Sequence, residues 1–235
     1  MLAKLRSPFQ EFGFFAGLLY AVDRLLQQLS PNLRLYFYEL VVQPIPEEPL
    51  LPENLSKALE IREIRSSDPE IALMPARPDI KESRFRQNAI CLGAFRKNAF
   101  IGHIWFCFHA YEEDEVRCTF VLPEGNQAVF DFDLYLFPEH RMGLGFGGIW
   151  DGANKFLRSR GVKFSFSRLT RFNLASRRAH MRLGAQRVGR LFVLRAWRIE
   201  LMVATVSPYV HLSLGERDRA RVKLRLEGGA DGVEG

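Results

Sequence analysis

The chain has 235 residues, 47% of them hydrophobic and 20 of them phenylalanine, so it is long enough and apolar enough for one folded domain plus an appendage. Its formal net charge of +6 suits an anionic ligand, a membrane surface or nucleic acid without choosing among them. Three cysteines (Cys91, Cys107, Cys118) lie in apolar stretches without metal-ligand spacing. That excludes a disulfide framework and is expected of free thiols in a reducing compartment, the cytoplasm.

Residues 1–55 read as an appendage. Phe14, Phe15, Leu18, Leu19, Val22, Leu25, Leu26 and Leu29 recur at helical spacing, and Pro31-Asn32 ends that helix. Asp23, Arg24 and two glutamines interrupt the stretch, so it neither spans a bilayer nor reads as a secretory signal. The helix is expected to pack on the main domain or on a second subunit, as in a homodimer; a membrane surface is the less favoured partner. Leu33 to Val42 alternates like a strand, and Pro44 to Pro52 reads as a proline-rich linker.

A main domain is expected over 56–206. Leu59 to Ile64 is a short strand, and 68–88 holds only short helices. Ala89 to Phe95 and Ala99 to Ala110 form a hairpin across Arg96-Lys97-Asn98, and Val116 to Leu122 is another strand. Ala128 to Phe137 is strongly β-like and runs into a glycine-rich turn, P-E-H-R-M-G-L-G-F-G-G, from Pro138 to Gly148. A helix follows to about Ser159 and stops at Arg160-Gly161. Val162 to Leu169 is a strand, Leu174 to Leu183 a helix, and Arg187 to Val203 one or two strands. Residues 207–235 read as a polar, disordered tail. The fold class is therefore α/β: a mixed, mostly antiparallel central sheet flanked by helices, with an N-terminal helix–strand appendage.

The glycine turn carries most of the functional information. It sits between a strand and a helix, where glycines admit a ligand close to the backbone and the first helical amides point outward unpaired. That arrangement suits a phosphate or diphosphate. The turn lacks the Gly-Lys-Ser/Thr of a P-loop. It is also not a dinucleotide fingerprint, because the next strand ends near Arg168 and offers no acid to a ribose.

What remains resembles the GCN5-related N-acetyltransferase (GNAT) superfamily. The resemblance covers about Leu59 to Val203 and is strongest from Asp131 to Gly189. It rests on Pro138-Glu139 followed by His140-Arg141-Met142-Gly143-Leu144-Gly145, where the family usually has Gln or Arg in place of His140. It rests also on Asn173-x-Ala175-x-x-x-Ala179-His180-x-x-x-Gly184-Ala185, where the family often has a tyrosine at His180 and a phenylalanine at Ala185. The resemblance implies an acyltransferase that moves an acetyl group from acetyl-coenzyme A, or another acyl-coenzyme A, to a primary amine by direct attack. The acceptor would be a small molecule or a peptide.

The implied coenzyme contacts are Leu134, Leu136, Arg141, Met142, Gly143, Leu144, Gly145, Phe146, Gly147, Asn173 and Ser176. An oxyanion donor would come from a backbone amide of Leu134 to Leu136. His180 would protonate the leaving thiolate. Asp131 and Asp133 alternate with Phe130, Phe132 and Leu134, which puts both carboxylates on one strand face with Tyr135. Crowded there, one of them should have a raised pKa and could serve as base or bind a cationic amine. The acidic run Glu112 to Glu115 is a second candidate grip for a cation, or else a solvated loop. His103 and His109 share a strand face but lack a third ligand, so no metal is expected. The basic run from Arg158 to Arg190 follows the glycine turn and suits a polyanionic cofactor; without a recognition motif it does not point to nucleic acid. The alternative to an enzyme is a catalytically degenerate module that keeps this fold for binding or regulation.

Overall fold

A computed structural model describes residues 13–56, 58–125, 127–141 and 144–226. The chain divides into two compact units interleaved in sequence. One comprises residues 44–111 and 124–166; the other comprises 1–43, 112–123 and 167–235. Each is mixed α/β, with mostly antiparallel strands carrying helices.

The 44–166 unit holds the glycine turn. Its strands β2 (Glu60–Ile64), β3 (Ile90–Arg96), β4 (Ala99–Cys107) and β7 (Ala128–Leu136) pair in the order β7-β4-β3-β2, all antiparallel. The β3–β4 hairpin turns on Lys97 and Asn98, both in left-handed backbone conformation, which matches the strand twist. Two short helices, α2 (Glu53–Ser56) and α3 (Pro78–Arg86), come before β3, and α4 (Gly145–Arg158) follows β7. Trp105, Phe106, Phe130 and Trp150 are fully buried. Phe85 of α3 meets Trp105 edge-on at 4.9 Å, and Phe106 meets Trp150 of α4 at 6.5 Å. One sheet face therefore belongs to α3 and the other to α4.

The seating of α4 explains much of its glycine content. A Cβ on Gly148 would come within 2.3 Å of Leu59, one on Gly152 within 2.1 Å of Ile61, and one on Gly145 within 2.4 Å of the His140 carbonyl oxygen. Gly148 and Gly152 let the helix lie directly against Leu59 and Ile61, and Gly145 lets it start close to the His140 carbonyl. Asp151, on the same helix, accepts the amides of Leu50 and Leu51 at 2.6 and 3.0 Å and so fixes the proline-rich segment.

In the other unit, α1 (Phe14–Leu29) precedes β1 (Leu33–Pro44). β1 is not peripheral. It pairs antiparallel with β9 (Gln186–Ala196) along its length and neighbours β8 (Phe164–Thr170) on its other side. β9 continues to β10 (Ile199–Ala204) and then β11 (Val210–Ser213). α5 (Leu174–Arg182) begins at Asn173, whose Oδ1 accepts the Ser176 amide at 3.0 Å. β6 (Cys118–Val121) pairs with β12 (Ala220–Lys223) in parallel, and a short strand, β5, spans Ala110–Glu112. The segment expected to begin a disordered tail thus forms β11 and β12; residues 227–235 lie outside the described residues. The three cysteines are free and buried.

Gly152→Ala should shift the urea midpoint by the equivalent of about 1–3 kcal/mol, because the added methyl overlaps Ile61. Removing the overlapping branches as well, in Gly152→Ala/Ile61→Ala, should cost less than the sum of the two single substitutions, because the nearest overlapping atom, Ile61 Cγ1, is gone.

Candidate functional site

α4 starts without a side-chain cap at Leu144. Its first internal bond runs from the Gly148 amide to the Leu144 carbonyl at 2.8 Å. The amides of Gly145, Phe146 and Gly147 therefore precede the helical ladder, and among the described residues none has a protein partner. With the positive end of the helix dipole they form an anion-attracting corner. Beside it lies a cavity of 220 Å³ lined by Ala58, Leu59, Arg96, Ile101, Glu139, His140, Leu144 and Gly145. Arg96 brings a cation to this cavity that the sequence had placed only in a hairpin turn. Met142 and Gly143, two of the expected contacts, lie outside the described residues. Arg141 turns back on the strand: its Nε donates to the Leu136 carbonyl at 2.9 Å and its guanidinium lies 5.2 Å from the Tyr135 ring centre.

β7 breaks its alternation where the expected carboxylates sit. Asp133 has φ +47°, and the register against β4 slips between Trp105–Phe132 and His103–Tyr135. This is a bulge with one extra residue on β7. Asp133 and Leu134 have no register partner on β4, so of the three expected oxyanion amides that of Leu134 is left out of this ladder.

The bulge also separates the two aspartates, contrary to strict alternation. Asp131 lies opposite Phe106, on the α4 face, and accepts Ser165 Oγ at 2.6 Å. Asp133 turns to the α3 face, where it pairs with the buried Arg84 guanidinium and lies 3.5 Å from His103 Nε2. Arg84 in turn lies 5.3 and 5.2 Å from the Trp105 and Phe132 ring centres. Burial by itself would raise the Asp133 carboxyl, but the His103 hydrogen bond and the Arg84 charge override it and hold the pKa well below the usual carboxylate range. That is the reverse of the expected raised value, and it makes Asp133 a fixed anion rather than a base. His103 is fully buried, and its Nδ1 has no partner among the described residues.

The remaining residues belong to the other unit. His180 is buried on α5, with Nδ1 3.0 Å from Gln43 Oε1. Nδ1 donates there. Asn173 and Ser176 are engaged with each other at the start of α5. Three of the four acids of the acidic run meet arginines within this unit. Arg168 bonds Glu113 at 3.0 Å and Glu115 at 2.6 Å, Glu113 also accepts the amides of Glu115 and Val116, and Arg219 lies 3.8 Å from Glu112. Among the described residues no group of three His, Cys, Asp or Glu could hold a metal ion.

No protein-family model and no curated protein matches the chain. Solved structures do, and GNAT-family acetyltransferases are among them. A conserved protein of unknown function from Staphylococcus epidermidis is 13% identical, with TM-score 0.46 over 74% of this chain and 66% of its own. A glucosamine N-acetyltransferase region of a fungal multi-domain GH3 β-N-acetylglucosaminidase is 14% identical, with TM-score 0.49 over 75% of this chain and 23% of its own. A GCN5-related N-acetyltransferase from Sphaerobacter thermophilus is 12% identical, with TM-score 0.43 over 87% of this chain and 58% of its own. The chain spans less than two thirds of the length of each.

Leu144→Asp sets a carboxylate beside the unpaired amides at an exposed position. It should weaken acetyl-coenzyme A binding about tenfold by calorimetry, while Leu144→Ala, which brings no oxygen to the amides, changes it little. For the bulge, Asp133→Asn leaves the Arg84 charge buried without its counter-ion and should cost about 3 kcal/mol. Because the folded pKa is depressed, Asp133 contributes stability that is present above the unfolded carboxylate pKa, near 4, and fades as pH falls towards the folded value. The urea midpoint should therefore fall below about pH 4 more steeply in the parent protein than in Asp133→Asn.

Proposed function

We propose that the chain is an acyl-coenzyme A-dependent N-acyltransferase acting on a primary amine, with acetyl-coenzyme A as the donor. The observation that carries this reading is the unpaired amide set of Gly145, Phe146 and Gly147 at the start of a 14-residue helix, beside a cavity that includes Arg96. An anionic diphosphate fits these donors, and Arg96 adds an opposite charge. The paired sequence motifs around Gly145 and Gly184 support the same reading. The coenzyme would supply the activated thioester.

In the reaction, the amine nitrogen attacks the thioester carbonyl, the carbon–sulfur bond breaks, the amine loses a proton and the thiolate gains one. The Leu134 amide, left out of the β4 ladder, is suited to the developing oxyanion. Asp131 remains the carboxylate candidate for base, since Asp133 is committed to Arg84. Proton donation to sulfur is assigned to His180 in its imidazolium form, since Nδ1 keeps its hydrogen on Gln43 and the donated proton must be the second one.

A binding or regulatory module is the second reading, favoured by the internal engagement of Asp133 with Arg84 and of His180 with Gln43. Calorimetry with acetyl-coenzyme A, followed by thiol release against a panel of amines, separates the two. The transferase reading expects both binding and release. Binding without release for every amine supports the module, and no binding at millimolar coenzyme overturns both. In an active preparation, His180→Ala should lower kcat about 100-fold with little change in coenzyme affinity, as expected for loss of a general acid. Unchanged kcat would remove His180 from the reaction.

A further inference from the structure

The 167–226 part of the chain exposes one large apolar sheet face. The β1–β9–β10–β11 register puts Phe37, Phe192, Val203 and Val210 in one row across the strands and Leu35, Leu194, Leu201 and Leu212 in the next. α1 covers the β1 end, where Phe15 meets Phe37 edge-on at 6.3 Å and Leu35 and Phe37 are buried. Beyond it the face is bare among the described residues: Leu201 is 37% exposed, Leu212 51% and Val210 62%. α1 adds to this surface, because Asp23 faces inward and bonds the Leu35 amide while Phe14, Leu18, Leu25 and Leu29 stay outside. An apolar surface of this extent marks an interaction site.

What borders it identifies the partner. Trp197, at the β9–β10 turn, is 60% exposed, and Tyr209, just before β11, is exposed as well. Along β9 the same face passes from Leu194 and Phe192 to Arg190, which lies opposite Glu39. Glu39 is buried and faces three guanidiniums, Arg177 at 2.7 Å, Arg171 at 3.7 Å and Arg187 at 3.8 Å. One carboxylate cannot neutralise them. Arg178 and Arg182 on α5, the helix that carries Arg177, and Arg24 on α1 are exposed as well. Apolar rows edged by amphipathic aromatics and by uncompensated arginines match the layers of a lipid interface: acyl boundary, headgroup level and anionic phosphate. No helix among the described residues is long and apolar enough to cross a membrane, so the contact would be in-plane.

We propose that this face docks on an anionic phospholipid surface, with the β9–β11 rows and the α1 stripe in the headgroup–acyl boundary and the arginines on lipid phosphates. The test is flotation of the full chain with vesicles of equimolar phosphatidylglycerol and phosphatidylcholine, and with vesicles of phosphatidylcholine alone. The chain should float with the anionic vesicles and hardly with the neutral ones. Leu201→Glu/Leu212→Glu and Arg178→Glu/Arg182→Glu replace exposed side chains, and each should reduce anionic-vesicle binding about tenfold while circular dichroism shows an unchanged fold. Absence of flotation, equal flotation with neutral vesicles, or full binding by both variants would overturn the proposal. So would a concentration-dependent dimer abolished by Leu201→Glu/Leu212→Glu in a chain that ignores vesicles, since the face would then belong to a second copy.

Discussion

An α-helix leaves its first amides without acceptors, and a protein must satisfy them with a cap, with water or with a ligand. α4 starts at Leu144, which has no oxygen to offer, and continues through three glycines and a phenylalanine that have none either. Where the helix can lie is fixed from behind, by Leu59 against Gly148, Ile61 against Gly152 and the Leu50–Leu51 amides on Asp151. The rest of the proposed chemistry depends on that seating. It holds the bare end of α4 next to Arg96 and the end of β7.

The bulge at Asp133 is the second constraint. A left-handed φ at a residue other than glycine is costly, and it persists where surroundings over-determine it. Here the Arg84 ion pair, the rings of Trp105 and Phe132 beneath it and the nearby His103 hold the carboxylate on the α3 face. The consequence is a split of duties: Asp133 stabilises the bulge, Leu134 is released from the β4 ladder, and Asp131 remains on the face of α4.

The elements with strong periodicity were legible in the sequence. The Phe14–Leu29 helix, the Lys97-Asn98 turn, the Ala128–Leu136 strand and the helix ending near Arg160-Gly161 all follow from spacing and turn chemistry. Three features were not. The bulge inverts the face of Asp133, and a single-residue slip has no composition signal. The glycines of the turn up to Gly148 read as ligand-approach positions, but Gly145 and Gly148 answer equally to close packing on His140 and Leu59, as Gly152 does on Ile61, partners distant or unmarked in sequence. The stretch after Ser207 is polar overall, yet Val210, Leu212, Ala220 and Val222 are enough to add short strands to existing ones. Long-range pairing likewise explains the basic run. Arg168 is matched to Glu113 and Glu115, while Arg171, Arg177 and Arg187 converge on Glu39, contacts that no local window contains.

The most direct test of the account is amide-resolved NMR of the isotope-labelled chain during a titration with acetyl-coenzyme A. Saturable shifts concentrated on the N–H groups of Gly145, Phe146 and Gly147 are the predicted result, since these amides would gain their first acceptor. If those three resonances stay still while the coenzyme binds elsewhere, or if no resonance moves at all, the helix end is not a diphosphate site and the transferase reading loses its foundation.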